Sequence, residues 1–195
     1  MDGMQWMASA MHAARAQLET ATQNLANVSS DGYRRVTARL GLTERGIGVT
    51  AARTQEQGAI RHTGRPLDLA ILGPGHFSVG GSATRDGAFV TDRFGTLCDA
   101  RGRRVMGERG PILVGAQTRI EADGTVRDGA RTVNRIPLPP GTTLQSGALE
   151  ASNVDAIGES LAILESQRSF ETAQKTLVAI DDARQKAVND VVRLK

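Results

Sequence analysis

The sequence predicts an α+β protein: long N- and C-terminal helices that pair as a coiled coil, with a mainly antiparallel β domain inserted between them. Three observations lead there. Residues 4–28 carry an apolar stripe with alternating three- and four-residue spacing. Residues 45–135 are rich in Gly and in short period-two apolar runs. From Val154 to Lys195 there is no Pro, and the only Gly is Gly158.

The stripe of the first element is Met4, Met7, Met11, Ala14, Leu18, Ala21, Leu25 and Val28. These are a and d positions of a heptad, so they line one narrow face of a helix roughly 37 Å long. Two of the eight are Ala and three are Met. A face that thin is marginal alone and has to find a partner helix. The helix is expected to stop near Val28, because Ser29, Ser30, Asp31 and Gly32 form a turn cluster and Gly32 accepts a positive φ.

From Tyr33 the texture changes. Leu67, Leu69 and Ile71 alternate with other residues, as do Phe77 and Val79, Ala88 and Val90, and Ile112 and Val114. Asp-Gly pairs punctuate them at Asp86-Gly87, Asp123-Gly124 and Asp128-Gly129. Short alternating runs separated by such pairs read as antiparallel strands and hairpins. Pro137, Pro139, Pro140 and Gly141 then read as a linker.

The last element is a helix of roughly 63 Å if continuous. Ser152 or Asn153 suits its cap, and Glu159 its first turns. Ile157, Leu161 and Leu164 form one stripe. After a phase shift the pattern resumes with Phe170, Ala173, Leu177, Ile180, Ala187, Val191 and Leu194. The expected division is a terminal helical domain over 1–35 and 147–195, and a β-rich domain with its linker over 36–146.

Composition narrows the function. Hydrophobic residues are 39% and aromatics 3%, so the core is modest and aliphatic. Cys98 is the single cysteine, which excludes an internal disulfide. No apolar run reaches the roughly 18 residues of a helical membrane span. The N-terminus lacks a basic region followed by an apolar block, so no signal peptide of the general secretory route is visible.

Catalytic and cofactor motifs fare poorly. Gly46-Ile47-Gly48-Val49-Thr50-Ala51 satisfies G-x-G-x-x-A, but Gly58 and Gly64 interrupt any following helix, so a strand or turn is expected. His12, His62 and His76 have no ligand spacing with one another or with Cys98. Cys98 follows Leu97 in an expected strand and reads as a buried structural thiol. No Ser sits in a G-x-S-x-G elbow. No catalytic, cofactor or metal site is therefore expected. Residues 30–135 carry 17 Arg against 11 acids. That balance raises an alternative, a nucleic-acid-binding module with a coiled-coil dimerisation helix. Against it, the acids are interspersed and no stacking-aromatic pattern appears.

Longer motifs carry a resemblance. Asn24-Leu25-Ala26-Asn27-Val28 followed by Gly32-Tyr33-Arg34 resembles the N-terminal signature of bacterial flagellar rod and hook proteins. Thr63-Gly64-Arg65-Pro66-Leu67-Asp68-Leu69-Ala70, Gly73-Pro74-Gly75-His76-Phe77 and Thr84-Arg85-Asp86-Gly87-Ala88-Phe89 are similar to central segments of that family. Ala148-Leu149-Glu150-Ala151-Ser152-Asn153-Val154-Asp155 and Gln167-Arg168-Ser169-Phe170-Glu171 are similar to its C-terminal signature. The segments occur in the family's order. The chain departs from it in a short run from Arg34 to Gly46 and a short stretch from Val126 to Gly147.

The resemblance implies a non-enzymatic structural subunit of the basal-body rod. Its terminal helices would pair in an inner tube that transmits torque, and its β domain would face outward. Its partners would be its own copies, other rod and hook proteins, and the flagellar type III export apparatus. It would reach the periplasmic rod unfolded and without a cleaved signal peptide. On this reading the assembly interface is Met4, Met7, Met11, Leu18, Leu25, Val28, Ile157, Leu161, Leu164, Phe170, Leu177 and Ile180. The residues carrying the family motif are Asn24, Leu25, Ala26, Asn27, Gly32, Tyr33, Ser152, Asn153, Gln167 and Arg168.

Overall fold

The computed structural model describes residues 3–44 and 46–193, with the side chains of Val188 and residues 190–193 left aside. The expected seam positions Val191 and Leu194 lie outside what is described. The chain is α+β and divides into two compact units.

One unit gathers the chain up to Val28, Arg35–Thr54, and the chain from Val154 onward. It contains α1 (Gly3–Ala26), a hairpin of β1 (Val36–Thr43) and β2 (Gly46–Arg53), and α2 (Ala156–Arg193). The two helices pack along one another. They run antiparallel: a side chain at Gly3 would begin 3.9 Å from Ile180 Cδ1, whereas Asn24 reaches Glu159 at 3.2 Å. The fully buried positions of α1 are Ala13, Ala14, Ala21 and Asn24. Three alanines let the neighbouring backbones come close. Met4, Met7, Met11, Leu18 and Leu25 flank that line and are half-buried. Val28 falls beyond the end of α1 and is 36% exposed.

On α2 the buried positions are Glu159, Ser166 and Ala173, with Phe170, Leu177 and Ile180 half-buried beside them. These keep a seven-residue beat, so the face against α1 needs no phase shift. The expected early stripe differs from this. Ile157, Leu161 and Leu164 are 75%, 55% and 52% exposed, on a side of α2 that the described residues leave largely open. The reason is that the two polar residues Glu159 and Ser166 occupy the contact face there. The cap also differs from expectation. Asp155, not Ser152 or Asn153, accepts from the Ile157 amide at 3.1 Å at the start of α2.

The hairpin pairs Val36 with Arg53 through Thr43 with Gly46. Period two puts Val36, Ala38, Leu40 and Leu42 on one face, together with Ile47, Val49 and Ala51 of the partner strand. The other face holds Thr37, Arg39, Gly41 and Thr43. The ribbon packs against α1. The Ile47 amide donates to Ser9 Oγ at 3.2 Å near the turn, and the root is tied to Asn24. The sequence reading placed this hairpin in the β-rich domain; it groups with the helices instead.

The second unit comprises Ser29–Arg34 and Gln55–Asn153. Its strands are β3 (Ile60–His62), β4 (Leu69–Leu72), β5 (Phe77–Val79), β6 (Ser82–Thr84), β7 (Val90–Thr91), β8 (Leu97–Cys98), β9 (Val105–Gly107), β10 (Gly110–Pro111), β11 (Thr118–Ile120), β12 (Thr125–Asp128), β13 (Arg131–Arg135), β14 (Thr143–Ser146) and β15 (Ala148–Glu150). They form small sheets in which every pairing is antiparallel: β10-β9-β5-β6, β11-β12-β13, β14-β4, β15-β3 and β7-β8. Eleven buried apolar residues make one core, among them Leu69, Ile71, Phe77, Phe89, Val126 and Ile136. Phe77 and Phe89 meet edge to face with centroids 5.1 Å apart.

Two of the three Asp-Gly pairs turn a chain between paired strands, Asp123-Gly124 before β12 and Asp128-Gly129 after it. Asp86-Gly87 does not. Gly87 is there because a Cβ would sit 1.8 Å from the Leu69 carbonyl oxygen. The expected linker at Pro137–Gly141 also differs: Ile136 is in the core, Leu138 packs against it, and β14 and β15 follow within the same unit. Proline blocked a strand at that point without ending the domain.

Candidate functional site

Three features bear on function: a buried polar network where α1 ends, a buried ion-pair cluster in the β unit, and apolar positions left uncovered on the helical unit.

The network begins with Asn24, which is 1% exposed at the last turn of α1. Its side-chain NH₂ donates to the Val36 carbonyl at 2.7 Å and to Glu159 Oε2 at 3.2 Å, and its Oδ1 accepts from the Val36 amide at 2.9 Å. Glu159, 2% exposed, is ion-paired through Oε1 with Arg35 Nε. One asparagine thus fastens the end of α1, the root of the hairpin and the first turn of α2. A polar groove of about 430 Å³ opens beside it, lined by Gln17, Thr20, Glu165, Ser166 and Ser169 among others. It pairs no nucleophile with a base; its chemistry is that of a hydrogen-bonding notch.

In the β unit, Arg85 is 7% exposed and Glu150 1%. Arg85 Nε donates to Glu150 Oε2 at 2.7 Å, and its other nitrogens donate to the carbonyls of Ile71, Gly73 and Gly75 at 2.9 Å. Arg34 Nε lies 3.5 Å from Glu150 Oε1. Burial lowers the Arg85 pKa and the Glu150 carboxylate opposes that shift. The arginine is fully used by the fold and has no donor left for a ligand. Burial likewise pushes the Asp86 carboxyl up, with the Ala88 amide pulling the other way.

The sequence-flagged motif residues fall into three groups. Asn24 and Glu159 meet in the network; the sequence marks Glu159 only as a first-turn acid and does not show its burial against Asn24 and Arg35. The signal for it was a carboxylate on the heptad of Ala173 and Ile180. Gly32, Tyr33 and Asn153 come together in the β unit. Gly32 has φ 69° and its amide donates to the Glu150 carbonyl at 2.6 Å, while the Asn153 amide donates to the Tyr33 carbonyl at 3.4 Å. Asn27 bonds back to the Gln23 carbonyl at 2.8 Å, Leu25 is half-buried and Ala26 exposed. Ser152 is half-buried, and Gln167 and Arg168 are exposed on α2.

The residues with chemistry in their side chains stay apart. His12, His62 and His76 are exposed, and Cys98 is 2% exposed in β8 with its thiol pushed up by burial. Gly46 to Ala51 run along β2. Among the described residues no group of three or more His, Cys, Asp or Glu is placed to hold a metal ion, and no helix is long and apolar enough to cross a membrane.

Residues 4–34 match the family described as flagella basal body rod protein, and residues 145–190 match the flagellar basal body rod FlgEFG protein C-terminal family. Those stretches take in the Asn24 end of α1 and all of the Glu159 turn. The chain is 30% identical to the flagellar basal-body rod protein FlgF of Escherichia coli, over 90% of this chain and 92% of that one. The chain belongs to the flagellar basal-body rod and hook protein family. Within that family it is also 29% identical to the rod protein FlgG of Bacillus subtilis over 67% of each chain. The hook protein FlgE of Brucella abortus is 35% identical over 56% of this chain and 32% of its own. Family membership makes this a structural protein of the basal-body rod class, and these matches lend nothing to a nucleic-acid-binding reading.

Proposed function

We propose that this rod-family chain assembles through its two terminal helices, paired as a coiled coil in the inner wall of an axial tube that transmits torque, while its β unit lies in the outer layer. The observation that carries the proposal is the state of the seam. Small residues let α1 and α2 approach, yet Met4, Met7, Met11, Leu18, Leu25, Phe170, Leu177 and Ile180 remain half-buried, and Ile157, Leu161 and Leu164 are open. Exposed aliphatic surface of that extent marks an interaction site. A heterologous contact that does not close on itself builds a helical tube. Its partners are then its own copies and other rod and hook proteins.

The export route belongs to the same proposal: passage through the flagellar export apparatus, unfolded, with no cleaved signal peptide. The helical unit suits it, because its thin seams leave little to undo before passage. The reading assigns no reaction, and none of the exposed histidines a catalytic role.

Purified basal bodies from the native bacterium test this. An epitope-tagged chain expressed in place of the untagged one should co-sediment with them at the rod, with its N-terminal sequence intact. Recovery only in the soluble fractions, or cleavage of an N-terminal leader, would overturn the respective part of the proposal.

A further inference from the structure

The helical unit carries two uncovered aliphatic patches, and they lie at opposite ends of it. One is on the hairpin, where Leu40, Leu42 and Val49 share a face and are 49%, 81% and 37% exposed. The other is Ile157, Leu161 and Leu164 on the first turns of α2. The hairpin turn sits beside Ser9, and the first turn of α2 beside Asn24. Ser9 and Asn24 are 15 residues apart on one helix, which separates their levels by roughly 22 Å. The patches therefore cannot cover one another within a single chain.

We infer that the apolar face of the hairpin docks on the Ile157–Leu161–Leu164 stripe of a second copy, stacking the subunits end to end. The inference deepens the rod reading and rests on it for the identity of the partner. Among the described residues of the helical unit, these two patches are where three large aliphatic side chains stand open together. A two-stranded ribbon face can lie along a helix stripe, and the contact is apolar, since Arg39 stands on the other face of the hairpin and exposed Glu165 and Arg168, of opposite sign, both flank the stripe. Six aliphatic side chains fall well short of the roughly 800 Å² per partner of a freestanding complex. Such a contact is too small for an isolated dimer and becomes useful when it repeats. Because the two patches differ and face opposite ends, the contact is heterologous and propagates.

Cross-linking full-length chains tests it. Leu42→Cys and Leu161→Cys are made singly and together, and treated with a short bismaleimide, both in concentrated purified protein and in intact cells. Cys98 is buried and stays out of the reaction. Mixing the two single variants should give a dimer at least tenfold above either alone, and the double variant should give a ladder. Leu40→Asp added to Leu42→Cys should remove the mixed dimer with Leu161→Cys while the thermal transition of the β unit stays put. Equal dimer from either single variant alone, or no 42–161 product in either setting, overturns the inference. The rod reading fails separately: wild-type chain absent from purified basal bodies sinks it whatever the cross-links show. Conversely, Leu42→Asp chains that enter basal bodies as wild type does would leave the rod reading standing without this contact.

Discussion

At the scale of single residues, the fold is fixed by a few close approaches and buried charges. A Cβ at Gly32 would lie 2.3 Å from the backbone of Arg85 and Asp86, at a φ of 69°. Gly32→Val should therefore destabilise the β unit by about 1–3 kcal/mol, seen as a lower denaturant midpoint; an unchanged midpoint would refute the turn. Arg85→Met leaves the Glu150 carboxylate buried against a poorly placed Arg34. The expected loss is about 3–5 kcal/mol, and adding Glu150→Leu should recover part of it. Titration adds a further test. Asp92 accepts from the Thr96 and Phe94 amides, and Asp123 from the Thr125 amide and hydroxyl, each at 2.7–2.9 Å. These bonds hold both carboxyls below the usual carboxylate value of 3.8. Their folded-state values are depressed, so the stability they bring is present above that value and is lost as pH falls through the folded values. Thermal unfolding followed from pH 5 down to pH 2 should show the loss (the range runs from about one unit above to about two units below the unperturbed value), and Asp92→Asn should flatten it. Asp86 acts in the opposite sense: its raised value costs stability as pH rises.

At the scale of elements, the helices and the turns between strands were legible because each announces itself locally. Heptad spacing marked α1, freedom from Pro and Gly marked α2, and Asp-Gly pairs marked two of the strand turns. What stayed hidden depends on contacts distant in sequence. The face that α2 turns toward α1 contains Glu159 and Ser166, which no apolar pattern reveals, and Ile157, Leu161 and Leu164 lie on another side of the helix. Gly87 looked like a turn residue and is a close approach to Leu69. The hairpin could be read as strands, but its grouping with the helices follows from Asn24 and Ser9 reaching across to it. The small residues in the helix seam make a direct test. Ala21→Leu forces bulk between α1 and its partners and should cost about 1–3 kcal/mol, whereas the same change at exposed Ala8 should be near neutral. The difference is read as helical circular dichroism lost on heating. Glu159→Ala should cost more than the same change at exposed Glu165, since it removes an acceptor of Asn24 and an ion-pair partner of Arg35 from a buried network.

At the scale of the whole molecule, the family was legible from motifs spread along the chain, whereas a single chain shows any surface that would join subunits only as unfinished packing. The β unit has its own core and closes its strands β3 and β4 with β15 and β14. A fragment ending at residue 146 would lose β15 and with it Glu150, so a fragment of residues 55–153 is expected to fold better than 36–146, by chemical-denaturation midpoint. Among the described residues of the helical unit the fully buried apolar side chains are alanines, and on the proposal above the unit leans on its neighbours. The central claim, that its seams join subunits, is tested most directly by a charge placed on them. Leu18→Asp and Leu177→Asp sit on half-buried positions, where an unpaired carboxylate costs several kcal/mol if buried further (roughly 2–7 for a polar group without partners). The measurement is the amount of each variant in purified basal bodies, set beside the unfolding midpoint of its β unit. The account requires both variants to vanish from the rod while that midpoint holds; variants that assemble at wild-type levels, or that unfold the β unit along with the helices, would contradict it.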